Sequence, residues 1–299
     1  MLLAEGQAAS GAFLSSSSFK GSTWPDENAC ITALVLRALG PLTSLPDIQP
    51  HADRALDFLE SCATLERPIS CRFWRPGREA SWAQMRPPAD VDDTSLAAVE
   101  LARHVRLARR DLVEIACKRL LRARLQGEQV RSPWVKTGAF MTWLHADGQP
   151  SLVDCTINAN VVAMLALAGT KHLPGFEAAC ATVAAGVDWA GGDAARHWMI
   201  SPYYPTAGEL LLAIRHAVAC GAEDLVPAER DLARCILPDT FHDDSVVFSG
   251  AGVKFQWRSP VLQQVRREVD RLGAETRLTQ FASNRVITLP GVPGSTETS

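Results

Sequence analysis

Pro87-Pro88-Ala89-Asp90 runs directly into Val91-Asp92-Asp93-Thr94-Ser95-Leu96-Ala97-Ala98-Val99. A proline-bearing loop, an acid and an alanine- and leucine-rich helical stretch follow one another in that order. The same order recurs on either side. Trp24-Pro25-Asp26-Glu27-Asn28 leads into Ile31-Thr32-Ala33-Leu34-Val35-Leu36-Arg37-Ala38-Leu39, and Ser151-Leu152-Val153-Asp154 leads into Asn160-Val161-Val162-Ala163-Met164-Leu165. Asp26, Asp90 and Asp154 are separated by 64 residues at each step, and self-similarity at a fixed period marks a repeat architecture. A fourth unit begins at Tyr203-Tyr204-Pro205, ahead of Glu209-Leu210-Leu211-Leu212. A fifth, degenerate one begins at Trp257-Arg258-Ser259-Pro260.

Between these runs lie second amphipathic segments, from His51 to Cys62, Arg110 to Leu125, Gly175 to Val187 and Ala228 to Ile236. Each unit is therefore a helix pair. The helix that follows the Asp/Pro loop is apolar nearly all round and is expected to be buried, whereas its partner carries charge on one face and is expected outside. With almost no alternating β-branched runs, the prediction is an all-α fold, an α/α toroid of concentric helices. Asp26, Asp90 and Asp154 stand where N-caps are expected. The inner helices then run in one direction, so their N-terminal loops gather at one end, where a site is expected. The first 20 residues, including Ser15 to Ser18, are read as a helical turn and a loop. A single domain over 1–288 and a disordered tail over 289–299, rich in Pro, Gly, Ser and Thr, complete the organisation.

The 299 residues are 47% hydrophobic and 21% charged, which allows a sizeable core. A net charge of −3 gives no case for a nucleic-acid partner. The eight cysteines lie far apart, with no CxxC pair and no Cys/His cluster, which argues against a metal site. Most, Cys117 among them, read as small core residues in a reducing compartment. No run is long and apolar enough for a transmembrane segment, and the N-terminus lacks the features of a signal peptide. The expectation is a cytoplasmic protein.

Asp90-Val91-Asp92-Asp93-Thr94 admits two readings. In one, Asp90 caps the helix, Asp93 completes a capping-box-like pair, and Asp92 is a first-turn acid favoured by the helix dipole. In the other, three carboxyls within four residues repel one another, so at least one keeps its proton near neutrality beside an apolar cavity. A protonated acid in a dry, aromatic-lined chamber is what protonation of an alkene requires, and the helix-start N–H groups can receive the conjugate base. Asp92, in the middle, is the donor in that reading.

The stretch DVDDT resembles the DxDD motif of the class II terpene cyclases, the superfamily of squalene–hopene cyclases and prenyltransferases. Val153-Asp154-Cys155, then Asn158-Ala159-Asn160, then Tyr203-Tyr204-Pro205-Thr206 are similar to repeat signatures of the small β domain of drimenyl diphosphate synthases. The resemblance covers roughly Phe19 to Pro260. It implies an isomerase of terpenoid biosynthesis in which Asp92 is the general acid, tuned by Asp90 and Asp93. The substrate would be a linear prenyl diphosphate, most simply farnesyl diphosphate, and the product a bicyclic, drimane-type sesquiterpene diphosphate. A geranylgeranyl or meroterpenoid substrate is the near variant. A non-catalytic toroid that binds an apolar ligand or a partner protein is the alternative of a different class. Mg²⁺ is expected only on the substrate's diphosphate. The family's QW repeat is not recognisable, and no phosphatase-like domain is fused, so a separate phosphatase would act on the product. A class I, ionising synthase is disfavoured: Asp243-Asp244 lacks the third acid of DDxxD, and Asp92-Asp93 with Glu100 has Leu96 where Ser or Thr is required. The zinc ligands of protein prenyltransferases are not visible either.

Eight tryptophans against two tyrosines is an unusual ratio. Trp24, Trp82, Trp143, Trp198, Tyr203, Tyr204, Phe255 and Trp257 fall in or near the loops that open the inner helices. There they can be plain core or a pocket whose faces stabilise a cation. Asn158 and Asn160, on an otherwise apolar helix, need partners. Either they hold the Asp92 carboxyl or they share in capping with Asp154. Lys20, Lys254 and Arg258, with Arg72, Arg75, Arg86 and Lys136, are the cations of these loops available to a diphosphate.

Overall fold

A computed structural model describes residues 3–80, 82–83, 87–127, 132–144, 151–236, 245–250 and 255–285. Strands β1 (Leu14–Phe19) and β2 (Ser22–Glu27) precede α1 (Ala29–Leu39) and α2 (Gln49–Cys62). Then come α3 (Val91–Arg103), α4 (Arg109–Lys118), α5 (Cys155–Ala168), α6 (Phe176–Ala190), α7 (Ala194–Ile200), α8 (Ala207–Ala219) and α9 (Val226–Cys235). Strands β3 (Phe248–Ser249) and β4 (Gln256–Arg258) lead into α10 (Pro260–Arg285). The chain is mostly helical, as expected, but it is not all-α.

The sheet has the order β2-β1-β4-β3. Leu14-Ser15-Ser16-Ser17-Ser18-Phe19, expected as a turn and a loop, is its central strand, paired with β2 from Leu14↔Glu27 to Phe19↔Ser22 and with β4 through Ser16↔Arg258. Four serines carry no hydrophobic alternation, which is why the strand is silent in the sequence. The structure supplies the alternation instead, burying Ser15 and Ser17. The two-residue turn between β1 and β2 places both Lys20 (φ 48°) and Gly21 (φ 83°) in the left-handed region, the geometry that follows the strand twist in a tight hairpin.

Helix pairing follows the predicted periodicity closely. The helices that open each unit pack in the succession α10, α1, α3, α5, α8, while α2, α4, α6 and α9 pack against them from outside. In α3 and α5 nearly every residue is buried. α5 and α6 approach closely at Gly186, where a Cβ would lie 2.6 Å from Cys155 Sγ. A buried ion pair joins α10 to α8: Arg266 donates to both carboxylate oxygens of Glu209, at 2.6 and 2.8 Å. The sheet reinforces a different junction, between α1 and α10, since β1 bonds both to the strand before α1 and to the strand before α10. Cys117 is exposed, against expectation, because the buried stripe of α4 is Leu112, Ile115 and Ala116. The segment 289–299, expected to be a disordered tail, lies outside the described residues.

Arg266→Met should destabilise the fold by about 3–5 kcal/mol, because it strands a buried carboxylate. Urea unfolding should show most of that loss recovered when Glu209→Leu is added, since an apolar pair leaves no charge to desolvate.

Candidate active site at the helix starts

Each of the five inner helices begins with a side chain that caps its own backbone; at α10 it is Ser259, whose Oγ accepts from Leu262 N–H at 3.4 Å. Asn28 accepts from Ile31 N–H, Asp90 from Asp93 N–H, Asp154 from Thr156 and Ile157 N–H, and Thr206 from Glu209 N–H. Asp26, expected as the cap of α1, lies in β2 instead, and Asn28 takes the cap. The freed Asp26 carboxylate accepts the indole N–H of Trp74 and of Trp257, both at 2.8 Å, and the Asn28 amide at 2.7 Å. Asp154 also accepts from Tyr203 N–H at 3.0 Å and Ser201 Oγ at 3.1 Å. The helix starts are thereby tied together at one end.

Asp92 is the second residue of α3 and is 3% exposed. Its Oδ1 accepts from Asn160 Nδ2 at 2.7 Å, and its Oδ2 accepts from the Tyr204 hydroxyl at 2.5 Å. Asn160 Oδ1 in turn accepts from Arg37 Nη2 at 3.0 Å, and Tyr204 Oη lies 3.3 Å from Cys30 Sγ. Burial pulls the Asp92 carboxyl above its ordinary range, while Tyr204, Asn160 and the Arg37 charge pull it back in part. Its neighbours have less help. Burial and the charge of Asp92 push Asp90 up to about 8. Burial and both neighbouring carboxyls push Asp93 well above its ordinary value. Asp93 Oδ2 has no partner among the described residues. All three carboxyls are thus raised above their ordinary range, and Asp92 is the one whose anion finds a side-chain donor on each oxygen.

The two asparagines separate. Asn160 reaches Asp92, but Asn158 exchanges hydrogen bonds with the Phe140 backbone N–H and C=O, both at 2.9 Å, and donates to Asp154 O. Asn158 therefore anchors the Phe140 loop and does not touch Asp92.

The aromatic residues of the opening loops form one continuous layer. From Tyr204 it passes to Phe248 (ring centroids 5.3 Å apart), Trp257 (5.4 Å), Trp82 (6.2 Å) and Trp24 (5.4 Å). Tyr203 joins it through Phe248, and Phe255 through Trp257 and Trp82. Phe19, Phe73, Trp74 and Phe248 belong to it as well, although sequence reasoning passed over them. The aromatic pair Phe73-Trp74 beside the 64-residue repeat was the available signal. Two expected members stand apart. Trp143 flanks the triad through a backbone bridge to Asp90, and Trp198 is 38% exposed on α7. Of the expected cations, Lys20 is exposed with its ammonium over the Phe19 ring. Arg258 donates to Ser18 Oγ and Gln256 Oε1. Lys254 and Arg86 lie outside the described residues.

A cavity of about 250 Å³ lies among α1, α5, α8 and α10 and reaches Asn160 and Tyr204, the two partners of Asp92; Arg37, His216 and Arg266 are also in its wall. Burial and the charges of Arg37 and Arg103 push His216 down to about 2, so it is neutral beside Glu100. Among the described residues no group of three or more His, Cys, Asp or Glu side chains is arranged to hold a metal ion, and no helix is long and apolar enough to cross a membrane. Models of known protein families and curated proteins yield no match to this chain.

The raised Asp90 carboxyl makes stability depend on pH. The folded chain keeps a proton that the unfolded chain releases near pH 4, and gives it up only as the pH approaches 8, so the contribution falls across that interval. Asp90→Asn retains a cap for Asp93 N–H and cannot titrate. Denaturation at pH 5 and pH 8 should show the stability difference between parent and variant moving in the variant's favour at the higher pH. A difference that ignores pH means Asp90 does not titrate there.

Proposed function

We propose that this chain is a protonation-initiated, class II terpene cyclase built as an α/α toroid, acting on a linear prenyl diphosphate such as farnesyl diphosphate. The observation that carries the reading is Asp92: a buried carboxyl at the start of an inner helix, with a donor on each oxygen, joined through Tyr204 to the aromatic layer. The Asp92 O–H gives its proton to the terminal alkene. The alkene's π electrons form the new C–H bond and leave a tertiary cation. Internal alkenes attack in turn and close a decalin, and loss of a proton from carbon restores neutrality with the diphosphate still attached. The reaction is an isomerisation and consumes nothing. Asn160 and Tyr204 stabilise the Asp92 anion as it forms, which is where such donors lower a barrier. The rings of Phe248, Trp257 and Trp82 offer π faces to the migrating charge. Mg²⁺ has a place only on the diphosphate, because a dication on Asp92 would displace the proton that the reaction needs.

Purified protein incubated with farnesyl or geranylgeranyl diphosphate, followed by phosphatase and mass spectrometry of the alcohols, tests the reading. The parent should yield a bicyclic alcohol. Asp92→Asn, which keeps the shape and one acceptor oxygen but has no acidic proton, should lose about 100-fold or more in turnover while remaining folded, as its melting curve should show. Turnover within tenfold of the parent would rule out Asp92 as the acid, and absence of any cyclised product from either substrate would favour a toroid that only binds.

In the same assay Tyr204→Phe removes one donor from the Asp92 anion and leaves the ring in place. It should slow turnover by about tenfold, the value of one hydrogen bond to a charge, without altering which product forms.

A further inference from the structure

A second concavity, about 730 Å³, opens at the far end of the aromatic layer. Trp24, Trp74 and Trp82 form its apolar wall, with Trp24 stacked on Trp82 (interplanar angle 17°) and Trp74 edge-on to Trp82 (83°). Its rim carries Arg75 and Arg78. These sit on a tight turn closed by Arg78 N–H to Arg75 O at 3.0 Å, with Gly77 at φ 75° supplying the left-handed residue. Both arginines are exposed, and neither has an acidic partner among the described residues. The two acids in the groove are already engaged: Asp26 holds the indoles of Trp74 and Trp257, and Glu27 Oε2 accepts from Ser10 Oγ at 2.6 Å. Neutral donors do not cancel a carboxylate's charge, so what the groove offers an oxyanion is the pair Arg75 and Arg78, which line it together with the indoles; that pairing complements a ligand with a multiply charged oxyanion at one end and an unsaturated, apolar chain at the other.

The geometry points to this groove as a binding site for the diphosphate end of a prenyl diphosphate, held by Arg75 and Arg78 with its first isoprene units on Trp24 and Trp82. This rests on the cyclase reading for the identity of the chain, and it moves the diphosphate away from Lys20 and Arg258. The aromatic layer runs from the groove to Tyr204, the hydroxyl donor to Asp92.

The test is direct binding, followed by quenching of tryptophan fluorescence or by calorimetry. The probes are farnesyl thiolodiphosphate, inorganic pyrophosphate and dodecyl phosphate. The parent and Asp92→Asn should bind the farnesyl probe alike. Arg75→Ala/Arg78→Ala, a change confined to exposed side chains, should weaken that binding by about tenfold or more and abolish pyrophosphate binding. Dodecyl phosphate should bind more weakly than the farnesyl probe. Unchanged binding in the double arginine variant overturns the inference while leaving Asp92 as the acid untouched. Equal binding of dodecyl phosphate overturns the assignment to a prenyl chain. Binding that needs both arginines in a protein that never cyclises its ligand leaves the groove standing and removes the cyclase reading.

Discussion

A carboxylate taken out of water has to be met by protein donors or keep its proton, and this molecule is assembled around that requirement. Asp26, Asp90 and Asp154, one per repeat, are all buried. Asp154 joins the first turn of α5 to the loop before α8 through Ser201 and Tyr203. Asp26 joins β2 to Trp74 and, 231 residues away, to Trp257. Asp26 and Asp154 thus tie their own units to others, while Asp90 caps its own helix.

Asp92 exploits the arrangement that these tethers create. It has no helix to cap, so both of its oxygens are available to groups from other units: Asn160 from the third and Tyr204 from the fourth, with Arg37 of the first behind Asn160. Desolvation favours the acid, and two donors with the charge of Arg37 behind them favour its anion. A carboxyl balanced in that way holds its proton more tightly than one in water, yet its anion has partners waiting when the proton leaves.

Two contacts remote in sequence join the last helix to the rest. The Glu209–Arg266 pair bridges α8 to α10, and β4 adds to β1 across some 240 residues. The second contact also seats Trp257, on β4, where its indole shares Asp26 with that of Trp74.

Local sequence determined a good deal: the helix pairs, the caps at Asp90 and Asp154, the burial of the inner helices and the clustering of aromatic loops. Each depends on periodicity or on hydrogen bonds spanning three or four residues, which a linear reading can see. Tertiary structure alone decided the rest. Whether Asn158 or Asn160 would meet Asp92 depends on how α5 is rotated against α3, and two residues on a helix differ by 200° in direction. The serine strand acquired its inward and outward faces only through pairing with β4. Which cations remain uncommitted beside an apolar wall was settled by distant partners: Glu209 takes Arg266 and Asn160 takes Arg37, while Arg75 and Arg78 are left to face the groove. Residue types name the groups that can act; only packing brings groups from different repeats within the few ångströms over which a hydrogen bond or a desolvated charge is felt.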